Sequence, residues 1–137
     1  DGFVAPNDNT AGACIEAMRA AGLDPHDIPI GGQDAELAAL QRIVEGTQTG
    51  TAFRDFEFMA IQAITMAKHL ALGEQAAVDK MVAGNATDNG AMDVPAIFIP
   101  NILVTKDTMV ETIIKPGHRS IEDVYENVPR DEWPEVD

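Results

Sequence analysis

Cysteine is nearly absent from this chain. Cys14 stands alone among 137 residues, so no internal disulfide can form and cysteine usage leaves the redox compartment open. On the same helical face as Ile15 and Met18, it reads as a small buried hydrophobe rather than a reactive thiol. Aromatic residues are scarce at 5%, against a hydrophobic share of 45%, so Ala, Ile, Leu, Val and Met must fill the core. Base is short as well: 9 Lys and Arg face 23 Asp and Glu, giving a formal charge of −14. A surface of that sign repels phosphate backbones and anionic membranes. Nucleic acid is excluded as a partner, while neutral or cationic ligands stay open. No apolar run approaches the ~20 residues that cross a bilayer. No basic region leads into an apolar stretch at the start, so no signal peptide is visible, and the chain begins at a strand as an excised or processed piece would.

Chemistry-bearing groups are equally thin. Ser120 is the sole serine and sits in no nucleophile elbow. His26, His69 and His118 lie far apart with no Cys or carboxylate at ligand spacing, so a zinc site is not expected. "TDNGAMD" (residues 87–93) carries oxygen ligands but lacks the twelve-residue calcium pattern and reads as a surface turn. "GGQ" has no G-x-G-x-x-G continuation, so no dinucleotide cofactor is supported, and none of any kind is expected. An enzyme using the Asp residues as acid and base would lack a nucleophile, a cofactor loop and a metal.

What is present is alternation. Phe3 to Pro6 reads as a strand, Thr10 to Ala21 as a helix with Ala11, Cys14, Ile15 and Met18 on one stripe, and "DIPIGG" as a second strand. A helix over residues 35–45, a strand at "TGTAF" and a long helix over residues 56–72 follow. Residues 73–93 read mostly as loop, "VPAIFIPNILV" as a strand pair or one interrupted strand, and residues 107–115 as a last helix. The acidic tail is ordered only if Tyr125 and Trp133 find something to cover. Strand and helix in this order predict an α/β fold, a parallel sheet with flanking helices.

In such sheets ligands collect outside the strands' carboxyl ends. There the chain places Asn7 and Asp8, then Gln33 and Asp34, then Arg54 and Asp55. An amide, a carboxylate and a guanidinium facing one cleft suit a ligand covered in hydroxyl groups. The competing reading is local. Asp8, Asp34 and Asp55 each precede a helix, where Asp is a favoured N-cap worth ~1 kcal/mol. Asn7 is harder to explain that way because Asp8 and Thr10 are better placed to cap, and Arg54 would oppose the helix dipole.

"VAPNDNTAGACIEAMRAAGL", "IPIGGQDAELAALQRIVEGTQTGTAFRD" and "DVPAIFIPNILVTKDTMVETIIKPGH" together resemble the periplasmic sugar-binding proteins of bacterial ABC importers, in particular the D-xylose-binding branch. The match runs from residue 2 to about residue 118 and leaves only the acidic tail unmatched. The resemblance implies the C-terminal portion of a two-lobed type I binding protein that closes on its sugar about a hinge. Residues 1–53 would be the second half of the C-terminal sugar-binding lobe. Residues 54–95 would be a hinge crossing and a helix packing on the other lobe, 96–118 a return strand and last helix, and 119–137 a tail. Carried over by position, the ligand-binding residues would be Asn7, Asp34 and Arg54, with Asp8 a helix cap. Arg54 departs from the lysine common in the xylose branch, which leaves the sugar's identity open.

The expected role is reversible binding of an aldose such as D-xylose and delivery to an ABC transporter permease, without chemistry, in a periplasmic or extracellular membrane-associated location. The ligand-sensing domain of a sugar-responsive regulator or sensor is the alternative, weakened by pI 4.3 and the lack of a DNA-binding helical module. Expected partners are a monosaccharide, the permease and the missing N-terminal portion of the same protein. The apolar stripe of residues 56–72 would otherwise self-associate or fold back on its own sheet, which a monodisperse monomer with that stripe exposed would contradict.

Overall fold

The structure, a computed structural model, describes residues 1–136. In chain order it contains β1 (Phe3–Val4), α1 (Asp8–Ala20), a 3₁₀ turn (Pro25–Asp27), β2 (Ile30–Gln33), α2 (Leu37–Glu45), β3 (Gly50–Phe53) and α3 (Phe56–Ala71). There follow α4 (Gln75–Val82), β4 (Ala86–Asp88), β5 (Asp93–Pro95), β6 (Ile102–Val104), a π-helical turn (Val110–Ile114), α5 (Ile121–Val124) and a 3₁₀ turn (Arg130–Glu132). The chain divides into two compact units, Asp1–Arg54 with Asn101–Asp137, and Asp55–Pro100.

The first unit is built on a sheet of order β1-β2-β3-β6. The first three strands are parallel and β6 runs antiparallel to β3. One face is covered. Ile30 buries with Ala5, just past β1, and with Ala11 and Ile15 of α1, and Val104 buries with Leu40, Ile43 and Val44 of α2 and with Met109, Ile113, Val124 and Tyr125. The period of 3.6 explains α2, whose buried Ala39, Leu40, Ile43 and Val44 form one stripe that ends at Gly46, held at φ 93° where a Cβ would be strained.

The opposite face is bare. Val4, Gly31 and Gly50 stand in one cross-strand row and Gln33, Ala52 and Leu103 in the next. Val4 is 87% exposed and Leu103 66%, and they flank an open trough of about 520 Å³. A Cβ at Gly31 would meet nothing within 4 Å. Parallel sheets bury both faces when complete.

The second unit holds α3, α4 and the β4–β5 hairpin. Residues 73–93, read from the sequence as loop, contain α4, β4 and the first residue of β5. An eight-residue helix with two buried positions, Val78 and Val82, is shorter than the window in which periodicity becomes visible. The turn between β4 and β5 is as expected: Asn89 Oδ1 accepts from the N–H groups of Ala91 (3.0 Å) and Met92 (2.9 Å), and Gly90 takes φ 85°. No residue of α3 is buried, and Phe56, Phe58, Ile61 and Ile64 remain exposed.

The helix expected over residues 107–115 is instead a π-helical turn. The Lys115 N–H reaches the Val110 carbonyl at 2.9 Å, a five-residue step, and Thr112 Oγ1 bonds back to the Thr108 carbonyl at 2.6 Å. The acidic tail packs on α2. Tyr125 is buried, Trp133 donates Nε1–H to the Val128 carbonyl (2.9 Å), and Arg130 lies 4.2 Å over the Trp133 ring. Gln41 Nε2 donates to the Asp123 carbonyl at 2.9 Å, joining helix to tail.

One buried carboxylate ties the covered face together. Asp8, in the first turn of α1, is 0% exposed. Its Oδ1 accepts from Gln48 Nε2 (2.9 Å); its Oδ2 accepts from Thr51 Oγ1 (3.0 Å) and the Glu36 N–H (3.0 Å). Arg42 donates from one terminal nitrogen to the Asp8 carbonyl (3.0 Å) and from Nε to Gln48 Oε1 (3.0 Å). A Cβ at Gly32 would collide with the Asp8 carboxylate, so that glycine is required for close approach. Asp8→Ala strands two side-chain donors and a backbone N–H in the interior. A loss of about 2–4 kcal/mol in urea unfolding is expected, and a loss under ~1 kcal/mol would refute the network's importance.

Asp24 caps the first 3₁₀ turn, accepting from the His26 N–H (3.0 Å), and also meets His26 Nδ1 at 2.6 Å. The backbone and side-chain hydrogen bonds from His26 lower the Asp24 pKa, and the Asp24 carboxylate raises that of His26. The His contribution is therefore complete below its unfolded pKa and lost as pH rises through the folded one. The Asp contribution is lost on acidification. An NMR titration of His26 should give a midpoint above the usual ~6.5 that returns towards it in Asp24→Asn.

Candidate functional site

Because β1, β2 and β3 are parallel neighbours, their carboxyl ends emerge on one edge of the sheet. Adjacent strands lie ~4.8 Å apart, so the first and third exits stand ~10 Å apart, the scale of one pyranose with its hydroxyls. Asn7 lies three residues past β1, Asp34 directly after β2 and Arg54 directly after β3. All three are half-buried.

Asn7 is the N-cap of α1, its Oδ1 accepting from the Thr10 N–H at 2.9 Å. Capping uses only the oxygen. Its amide nitrogen has no partner among the described residues and remains a two-proton donor. The sequence pointed to Asp8 as the cap, and the structure reverses the two. The amide satisfies the first turn, whereas the carboxylate is turned inward to Gln48, Thr51 and Glu36. Three inward donors outbid one orphan backbone N–H.

Asp34 does not cap either. Glu36 occupies the N-cap position of α2 without a side-chain bond, and Asp34 itself stands at φ 97°. Non-glycine residues held there cost on the order of 1–3 kcal/mol and cluster at functional sites. The position is pinned by its own N–H, which donates to the Ala52 carbonyl of β3 at 2.9 Å. Its carboxylate receives one bond, from Gln33 Nε2 at 3.3 Å, and is otherwise unspent among the described residues. Asp55, by contrast, is a cap, accepting from the Phe58 N–H at 2.8 Å.

Arg54 Nε donates to Asn101 Oδ1 at 2.9 Å, and the guanidinium forms no ion pair among the described residues. Its four terminal N–H donors are therefore unspent there. Sequence reasoning missed Asn101 because its relation to Arg54 exists only through the antiparallel β3–β6 pair. The chemistry of the three exits is a neutral donor, an anionic acceptor and a cationic donor. A hydroxyl both donates and accepts, so this set complements neighbouring hydroxyls of a polyol.

Among the described residues, no group of three or more His, Cys, Asp or Glu side chains could hold a metal ion, and no helix is long and apolar enough to cross a membrane. A second hollow of about 220 Å³, lined by Met59, Ala63, Met66, Pro95, Ile97, Ile99 and Gln62, has only one polar side chain and cannot satisfy a sugar.

The strain at Asp34 gives a test. Asp34→Gly should raise stability by about 1 kcal/mol, because glycine adopts this φ freely. Asp34→Ala, which keeps the Cβ, should not. Equal unfolding midpoints for the two variants would show that the backbone is unstrained.

Residues 1–75 match the family described as periplasmic binding protein domain. The chain is 40% identical over 125 residues to a D-xylose-binding periplasmic protein of Haemophilus influenzae, covering 91% of this chain and 36% of that one. It is 38% identical over 117 residues to the D-xylose-binding periplasmic protein of Escherichia coli, covering 85% and 34%. A carbohydrate transporter solute-binding protein from Chloroflexus aurantiacus, solved in complex with D-glucose, superposes with a TM-score of 0.70 at 34% identity, over 90% of this chain and 35% of that one. The chain thus spans about a third of the length of the relatives it matches. With the sheet, its three exits and these likenesses in agreement, the chain belongs to the periplasmic binding protein domain family, with a type I α/β fold.

Proposed function

We propose that this chain supplies one side of the sugar cleft of a solute-binding protein serving an ABC transporter in the periplasm. It binds an aldose such as D-xylose by hydrogen bonds and performs no chemistry on it. Asn7 donates from its free amide, Asp34 accepts from one or two ring hydroxyls, and Arg54 donates from its terminal nitrogens. The observation that carries this reading is Asp34: a strained residue at φ 97°, not a helix cap, with its carboxylate left for something else. The two D-xylose-binding relatives and the D-glucose complex support a sugar as that ligand. Their descriptions name binding and transport rather than regulation.

Residues 1–53 belong, on this reading, to the sugar-binding lobe. Residues 54–95 provide a hinge crossing and the helix that meets the other lobe, and 96–118 return to the first. The bare sheet face and the exposed apolar residues of α3 are the surfaces on which the rest of a longer protein would pack. Without it, α3 is the surface through which two copies would associate.

Half a cleft binds weakly. Titration of the isotopically labelled chain with D-xylose and D-glucose should move the amide and side-chain signals of Asn7, Asp34 and Arg54 with dissociation constants weaker than ~1 mM. Asp34→Asn should abolish the response by removing the charged acceptor. Sub-micromolar binding by this chain alone would contradict the half-cleft. No response at those three residues at about 0.1 M sugar would remove the site.

A further inference from the structure

We infer that Asn101 is a positioning residue for sugar recognition, aiming the Arg54 guanidinium; this rests on the sugar-cleft reading of Arg54. The β3–β6 register pairs Thr51 with Val104, Ala52 with Leu103 and Phe53 with Ile102. One step further, Arg54 faces Asn101, where the ladder has ended and side chains replace backbone bonds. Asn101 Oδ1 accepts from Nε at 2.9 Å.

The choice of nitrogen matters. A guanidinium offers donors along its side edge, through Nε and one terminal nitrogen, and along its end, through both terminal nitrogens. An oxygen on Nε occupies the side edge and leaves the end as the only fork that can bind two adjacent hydroxyls. A free arginine side chain carries about 2 kcal/mol of rotamer entropy, and holding it in advance removes part of that cost on binding. Asp55, the nearest carboxylate in sequence, forms no ion pair with Arg54 among the described residues and caps α3 through Oδ1. A lysine at position 54 would have no second nitrogen for Asn101 to hold. The Arg54–Asn101 pair therefore acts as one recognition unit, with a preference for vicinal hydroxyls of fixed geometry.

The test uses the intact chain, D-xylose as probe, and the Arg54 Nε–Hε signal in nitrogen-resolved NMR. In the parent chain that proton should exchange more slowly than the corresponding proton of Arg119, whose only side-chain hydrogen bond among the described residues runs from a terminal nitrogen. Asn101→Ala should abolish the protection and raise the xylose half-saturation about tenfold, with the unfolding midpoint unchanged. Asn101→Asp, which keeps an acceptor oxygen, should restore both. In an Arg54→Lys background, Asn101→Ala should have no further effect on xylose binding.

Protection and affinity both unchanged in Asn101→Ala would overturn the inference, as would an equal loss of affinity in the lysine background. If xylose moves Asn7 and Asp34 but not Arg54, the inference falls while the cleft stands. If xylose moves none of the three, the cleft reading falls with it.

Discussion

The architecture of the first unit depends on one buried carboxylate. Asp8 lies where α1 begins, yet its partners come from the turn before β3, from β3 itself and from the start of α2. An interior carboxylate is tolerated only when its lone pairs are filled, so the cost of desolvating it is offset by three directed bonds. Those bonds fix the depth at which α1 enters relative to β2 and β3. Asn7, one residue earlier, inherits its placement at the sheet edge from that anchor. The glycine at position 32 is the other half of the arrangement, since any side chain there would occupy the carboxylate's space. Rigidity behind the strand exits holds the backbone at Asn7, Asp34 and Arg54 in a constant relation.

The second constraint is incompleteness. A parallel sheet with helices on one face and an apolar trough on the other has buried only part of what its composition allows. The same holds for α3, whose sixteen residues include no buried one. These surfaces differ in kind from the edge where the strands exit: the first are apolar, whereas the exits carry the polar side chains of Asn7, Asp34 and Arg54. Stability is drawn from the covered face, where Tyr125 and Trp133 close the tail over α2.

Much of this was legible in the chain. The alternation of strands and helices predicted the sheet, and "ND", "GQD" and "FRD" marked its exits correctly, because hydrophobic period and turn residues are local properties. The roles at the first exit were not legible. Asn7 and Asp8 are both good caps by local criteria, and the decision between them was made by Gln48 and Thr51, 40 and 43 residues away. Likewise α4 was missed because two turns of helix leave too little pattern, and the π-helical turn because five residues are too few for periodicity to tell a π turn from an α-helix.

The sequence by itself determined the alternation of strands and helices, the strongly acidic charge balance, and which residue types stand at the strand ends. Tertiary structure decided what each of those residues is free to do. It spent Asp8 in the interior, left half of Asn7 unbonded, forced Asp34 into a strained backbone through a bond to Ala52, and gave Arg54 a partner in Asn101. The reason is physical: a side chain's type is a property of one position, whereas the donors and acceptors it must satisfy arrive from strands and helices that are neighbours only after folding.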